Sequence, residues 1–266
     1  MKDWINLEKA VVIVTGGSSG IGESLTIGLS ELGAAVINVD IKPCENQHPN
    51  VHFIETDVSN KSSIEQMVTE VVAKFGRIDS LINNAGINLP ALLVDAKQPT
   101  SQYELSEEIV DKLYAINQKS VFLVSQAVTR VMLRQEKGVI INMSSESGLE
   151  GSEGQSFYAA TKAAINSFTR SWAKELGKKG IRVVGIAPGI MEATGLRTQS
   201  YEEALSYTRG ITVEQLRANY SNVGQIPLGR SGKLKEVADL ACFLLSDRAS
   251  YLTGVTINIS GGKSRG

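Results

Sequence analysis

The chain has 266 residues, 42% of them hydrophobic, enough to bury a sizeable core. Its 27 Lys and Arg stand against 28 Asp and Glu, so no broad basic field exists to hold nucleic acid or an anionic membrane, and small-molecule partners are expected. Cys44 and Cys242 form no C-x-x-C pair, and the opening Met1-Lys2-Asp3-Trp4 with the short apolar run over 10–14 fits neither a signal peptide nor a membrane span, which together predict a reducing cytoplasm.

The first strand-like run, Val11-Val12-Ile13-Val14, leads directly into Thr15-Gly16-Gly17-Ser18-Ser19-Gly20-Ile21-Gly22. Its glycines stand where backbone must turn tightly and approach a pyrophosphate, whose charge the free N–H groups of a helix start favour; alone, the string also reads as an ordinary strand-to-helix turn. Ala35-Val36-Ile37-Asn38-Val39 is the next strand, ended by Asp40 eighteen residues after Gly22. A carboxylate there accepts hydrogen bonds from ribose hydroxyls and repels a 2′-phosphate. Ile41 rather than an arginine follows it, although Lys42 leaves room for a phosphate.

A third strand around His52 runs to Asp57-Val58, and Ile64, Met67, Val68, Val71, Val72 and Phe75 then recur at helical spacing. Ser62 and Glu65 suggest a capping box at its start and Gly76 closes it. Leu81-Ile82 is the fourth strand, followed by Asn83-Asn84-Ala85-Gly86. Helical patterns over 107–136, 158–176 and 236–245 alternate with Val139-Ile140-Ile141-Asn142, Val183-Val184-Gly185-Ile186 and Val255-Thr256-Ile257. This alternation predicts one doubly wound α/β domain over 1–266, with a mostly parallel seven-stranded sheet and helices on both faces. The exception is 191–226, a polar insertion with three tyrosines and three arginines, expected to form a helical substrate lid.

Of seven tyrosines only Tyr158 has a lysine four residues later, Lys162, so the two share a helix face. A phenol with a pKa of about 10 is a poor base at neutral pH, and a nearby ammonium favours its phenolate. Ser145 lies thirteen residues before Tyr158 at a strand end, and Asn117 lies in the preceding helix. Ser144 is expected to satisfy local backbone instead. The two histidines, His48 and His52, have no ligand cluster around them, so no metal site is expected. Ser145 lacks a nucleophile-elbow sequence and a His partner, which disfavours a hydrolase.

In their order, the glycine string, N-N-A-G, the Ser145, Tyr158, Lys162 and Asn117 constellation and Pro188-Gly189 resemble the short-chain dehydrogenase/reductase family from Val11 to Gly262. The resemblance implies a Rossmann domain, an NAD cofactor and hydride transfer between nicotinamide and a secondary alcohol or ketone. Ser145 would bond the reacting oxygen, Tyr158 would remove the proton, Lys162 would tune Tyr158 and grip the nicotinamide ribose, and Asn117 would hold a relay water. Cofactor contacts are expected from Gly16, Ser18, Ser19, Gly20, Ile21, Gly22, Asp40, Asp57, Val58, Asn84, Ala85, Gly86, Tyr158, Lys162, Pro188, Gly189 and Ile190. Thr194 is included although four residues separate it from Gly189 where the family has three.

The stretches 142–155, 189–197, 207–210 and 227–233 resemble the family's bacterial dehydrogenases of a phosphorylated hexitol, which implies a polyol phosphate substrate. Arg197 and Arg209 would then bind the phosphate, or else lie solvated, and Glu146, with Glu150 and Glu153 nearby, would bind hydroxyls or face water. A reductase of another carbonyl, such as a 3-oxoacyl thioester or an unphosphorylated sugar, would share every cofactor and tetrad residue. A catalytically idle nucleotide sensor would be expected to have lost part of the tetrad, which is complete here. The family commonly forms tetramers, so a homotetramer through the helices over 117–136 and 158–176 is expected, with Val121, Val124, Val128, Ile165 and Phe168 shared between sheet and interface.

Overall fold

Short runs rich in β-branched residues become seven strands: β1 (Val11–Thr15), β2 (Ala35–Asp40), β3 (Val51–Glu55), β4 (Ser80–Asn83), β5 (Gly138–Met143), β6 (Ile181–Pro188) and β7 (Thr256–Ile259). The computed structural model describes residues 4–45, 48–221 and 223–264; the opening Met1-Lys2-Asp3 and Asn222 of the insertion lie outside the described residues. All pairings are parallel, in the order β3-β2-β1-β4-β5-β6-β7. Val14 stands opposite Asn38 on one side and Ile82 on the other. The strand order therefore reverses at β1, which opens a crevice at the carboxyl ends of the strands.

Because successive strand residues face opposite ways, the central strands feed two cores. Val12, Val14, Val36, Ile82, Ile141 and Val184 pack under α1 (Gly20–Glu31) and α9 (Leu234–Leu245). Val11, Ile13, Ile37, Leu81, Ile140 and Val183 pack under α2 (Lys61–Phe75), α4 (Ser120–Gln135) and α6 (Ser156–Leu176). Each fully buried aliphatic side chain contributes about 1.5–3 kcal/mol, so the sheet is a firm floor for the crevice.

Three local expectations are corrected. The start of α2 is not a Ser62/Glu65 box: Asn60 is the cap, and its side-chain oxygen accepts from the Ser62 and Ser63 N–H groups, because asparagine at that position reaches both unsatisfied donors. The helix expected over 107–136 is α3 (Glu107–Tyr114) and α4 joined by a π turn at Ala115–Lys119, with Asn117 fully buried inside it. Such turns are rare and concentrate at functional sites. Finally, Val121, Val124, Val128 and Ile165 are already buried within this chain, and on α4 it is Phe122 and Leu133 that face outward, 42% and 40% exposed.

The insertion carries α7 (Gln199–Arg209) and α8 (Val213–Ser221). Thr198 caps α7 by accepting from the Tyr201 N–H, and Gly210 ends it in the left-handed conformation. Glu202 on α7 bonds Arg217 on α8 at 2.7 Å. A second tie fixes α7 to the body: the Tyr207 hydroxyl donates to fully buried Asp95 at 2.7 Å, and the Tyr207 ring stacks on Tyr103. Among the described residues no helix is long and apolar enough to cross a membrane.

Candidate active site

The glycine string becomes the turn between β1 and α1. Gly16 and Gly20 adopt positive φ, 64° and 55°, and space forbids side chains beside them: a Cβ on Gly22 would stand 1.9 Å from the Gly16 carbonyl oxygen, and one on Gly16 would stand 2.9 Å from Ala85 Cα. Backbone therefore lines the crevice directly. Asn84 staples this loop to the end of β4, donating from Nδ2 to the carbonyls of Thr15 and Gly16, both at 3.0 Å. Asp40, at the end of β2, accepts from Ser18 N–H at 3.1 Å and Ile41 N–H at 2.7 Å, which fixes its carboxylate beside the loop. Thr194, whose spacing departs from the family pattern, still arrives here, 3.2 Å from where a Gly20 Cβ would lie.

Across the crevice, Ser145 follows β5 and Tyr158 and Lys162 share a face of α6. The Ser145 hydroxyl accepts from the Ser147 hydroxyl at 2.9 Å. Burial raises the Tyr158 pKa, opposed by the neighbouring Ser145 hydroxyl. Lys162 donates to the Met143 carbonyl at 2.9 Å, stands 5.8 Å from the Tyr158 ring centroid, and is lowered by burial to about 8. Its ammonium is thus tied to the strand end rather than to the phenol. Asn117 clamps the chain after N-N-A-G, accepting from Ile87 N–H and donating to the Ile87 carbonyl, both at 2.8 Å. Ser144 donates to the Lys162 carbonyl at 3.1 Å, a backbone acceptor on α6 rather than a local one.

These groups share one cavity of about 1210 Å³ along the carboxyl ends of the strands, above the roughly 300–1,000 Å³ of a single small-ligand site. Its wall includes all the singled-out site residues except Ser18 and Asn117. Ser18 is turned away, its hydroxyl donating to the Lys42 carbonyl and accepting from Asn38. Arg197 and Arg209 enter the wall from the insertion, with the Arg197 guanidinium 3.7 Å from the centre of the Tyr220 ring. Glu146 is there too, paired with Lys263 at 2.8 Å. Sequence reasoning missed Lys263, Gln155, Tyr201 and Tyr220. Gln155 donates to the Tyr201 hydroxyl at 3.1 Å, and burial raises the pKa of that phenol well above its ordinary value. The tyrosine-rich composition of the insertion hinted at Tyr201 and Tyr220, and no sequence signal marked Lys263 or Gln155.

The sequence profile of the short chain dehydrogenase family matches residues 10–204. The chain belongs to that family. It is an oxidoreductase on a Rossmann-type sheet that takes a nicotinamide cofactor, and the glycine cradle fits such a group because Gly16, Gly20 and Gly22 line the cavity with no side chain to block a close approach. Among short chain dehydrogenases it is 59% identical to the sorbitol-6-phosphate 2-dehydrogenase of Klebsiella pneumoniae over 268 residues, covering 100% of both chains. It is 39% identical to a 3-oxoacyl-(acyl-carrier-protein) reductase of Thermotoga maritima, covering 97% of this chain and 99% of that one. The solved 3-ketoacyl-(acyl-carrier-protein) reductase of Brucella melitensis complexed with NADH superposes with a TM-score of 0.81 at 27% identity, covering 98% of this chain and 100% of that one.

Proposed function

We propose that this chain is an NAD-dependent dehydrogenase that interconverts D-sorbitol 6-phosphate and D-fructose 6-phosphate. The observation that carries this reading is the single cavity, which joins the Ser145, Tyr158 and Lys162 cluster to two arginines on the insertion. The phosphate binds Arg197 or Arg209 while the secondary hydroxyl reaches Tyr158. Full-length 59% identity to a protein with that activity in its name supports it.

Ser145 donates to the reacting oxygen and holds it against Tyr158, whose phenolate takes the alcohol proton. A bound NAD would supply the hydride acceptor for the carbon that bears this oxygen. Burial makes the Tyr158 phenolate costly, so the ammonium of Lys162 lowers that cost electrostatically rather than by direct bonding. With its pKa near 8, Lys162 also exchanges protons close to neutral pH. The Asn117 side chain is committed to Ile87, so the relay water is held by the backbone of the π turn. Asp40 favours NAD, because its fixed carboxylate attracts ribose hydroxyls and repels a 2′-phosphate. Gly16, Ser19, Gly20, Ile21, Gly22 and Thr194 line the pyrophosphate, Asp57 and Val58 the adenine, and Pro188, Gly189 and Ile190 the nicotinamide. Residues 1–266 act as one domain with the lid over 191–226, as a cytoplasmic homotetramer in which Phe122 and Leu133 of α4 meet a symmetry mate.

NADH formation over a panel of polyols and their phosphates tests the function. The highest kcat/KM is expected for sorbitol 6-phosphate with NAD. The shared tetrad makes a 3-oxoacyl thioester the instructive control, and its preferential reduction with NADPH would overturn the reading.

A further inference from the structure

Glu146 follows Ser145 directly, and its carboxylate Oε1 accepts from Lys263 Nζ at 2.8 Å across 117 residues of sequence. Unlike the exposed surface pairs Lys61–Glu65 and Lys235–Asp239, both members are largely covered, with side-chain exposures of 22% for Lys263 and 17% for Glu146. Both line the cavity that holds Ser145 and Tyr158.

The chain is shaped to bring this pair together. After β7, Gly261 and Gly262 adopt consecutive positive φ values of 64° and 88°, which turn Lys263 back toward β5. The turn lies against the end of the insertion: a Cβ on Gly261 would stand 2.7 Å from Ile226 Cγ2, and one on Gly262 would stand 3.1 Å from Pro227 Cγ. Leu228 N–H also donates to the Gly261 carbonyl. On the other side, Gly189 admits the carboxylate, since a Cβ there would stand 2.9 Å from Glu146 Oε2. That second oxygen is buried with no hydrogen-bond partner among the described residues. A buried carboxylate oxygen is rarely left unmatched, so the site is short of one donor.

Resting on the proposed function, we infer that Glu146 and Lys263 form a hydroxyl-reading subsite for the carbons flanking the reacting one. A hydroxyl both donates and accepts, and the pair offers one group of each kind, carboxylate and ammonium. The pair is neutral as a unit, so it does not compete with Arg197 and Arg209 for the phosphate. Lys263 lies beyond residues 10–204 matched by the family profile, whereas Glu146 lies within them beside Ser145, so the subsite joins the tail to the edge of the reacting cluster.

The test compares wild type with Lys263→Met, Glu146→Gln and the double variant on sorbitol 6-phosphate, sorbitol and propan-2-ol, with NADH affinity followed by its fluorescence. In each single variant the ratio of kcat/KM for sorbitol to that for propan-2-ol should fall by about tenfold or more, the size of a lost charge-assisted contact. NADH affinity should stay within about twofold, and the double variant should be little worse than either single one, since the two act as a unit. Lys263→Arg, which keeps the charge, should recover part of the loss and shows that the tail still folds. Equal losses on sorbitol and propan-2-ol, or no loss on either, would overturn the subsite. If wild type uses sorbitol as well as its phosphate, the phosphate reading fails while this ratio still decides the subsite; wild type inactive on both hexitols sinks both proposals.

Discussion

The wall of the cavity near β1 and the wall formed by the insertion are held by different kinds of contact. Near β1, backbone and small residues set the shape: Gly22 tolerates no Cβ against Gly16, and Ala85 lies against Gly16. On the insertion, long polar side chains do it in pairs, Tyr207 to Asp95, Arg217 to Glu202 and Arg197 over Tyr220. A wall made by exclusion of volume accepts one ligand outline, whereas a wall of side-chain pairs can be re-specified by a few substitutions. The first suits a cofactor shared by a whole family, and the second suits the substrate that distinguishes its members.

The largest expected effect falls on the chemistry that both walls serve. Tyr158→Phe removes the exchangeable proton and little volume, so kcat should fall by about 10²–10⁴-fold while the Kd for NADH changes little. A kcat near wild type would break the division between proton handling and cofactor binding. Next, Gly22→Ala places a methyl against the Gly16 carbonyl, 1.9 Å away. The resulting overpacking costs about 1–3 kcal/mol, expected as a lower Tm together with a weaker NADH Kd. An alanine variant that binds NADH normally would show that this wall is softer than its geometry implies.

Much of the β1 wall was legible in the sequence because its parts are local. Its glycine positions and the strand ends at Asp40 and Asn84, like the four-residue step from Tyr158 to Lys162 across the crevice, are fixed by strand and helix periods, and the structure places them around one cavity. What the sequence did not disclose depends on distance. Lys263 meets Glu146 across 117 residues and Asp95 meets Tyr207 across 112, and no periodicity encodes such pairs. The cap of α2 was misplaced for a different reason, since Asn60 and Ser62 are both good caps and only the chain direction before the helix selects between them. The π turn around Asn117 was hidden because one inserted residue barely disturbs the apolar pattern of a long helix.

A smaller effect is expected at Asp40, which lies at the edge of the rigid wall. Asp40→Ser removes the charge that repels a 2′-phosphate, and the ratio of kcat/KM for NADP to that for NAD should rise by about tenfold or more, since like-charge contacts cost one to several kcal/mol. An unmoved ratio would assign cofactor choice elsewhere.

The smallest effect concerns the tie between insertion and body. Hydrogen bonds from Ser101 and Tyr207 hold Asp95 at about 2, below the ordinary carboxylate value of about 3.9. A carboxylate with a depressed pKa contributes its stabilisation above the unfolded value and loses it as pH falls through the folded one. Anchoring of α7 should therefore be complete above about pH 4 and fade toward about pH 2. Tyr207→Phe removes one of the two side-chain donors, so hydrogen exchange in α7 should accelerate at a higher pH than in wild type. Identical pH dependence in both proteins would show that the stack on Tyr103, not the hydrogen bond, secures the insertion.

The most direct test of substrate choice by the insertion is the ratio of kcat/KM for sorbitol 6-phosphate to that for sorbitol, measured in wild type, Arg197→Ala and Arg209→Ala. A charge-assisted contact to phosphate is worth about 1.5–3 kcal/mol, so the arginine that binds it should, when removed, lower this ratio by about tenfold to more than a hundredfold. A ratio unchanged in both variants would contradict the account and place phosphate recognition outside the insertion.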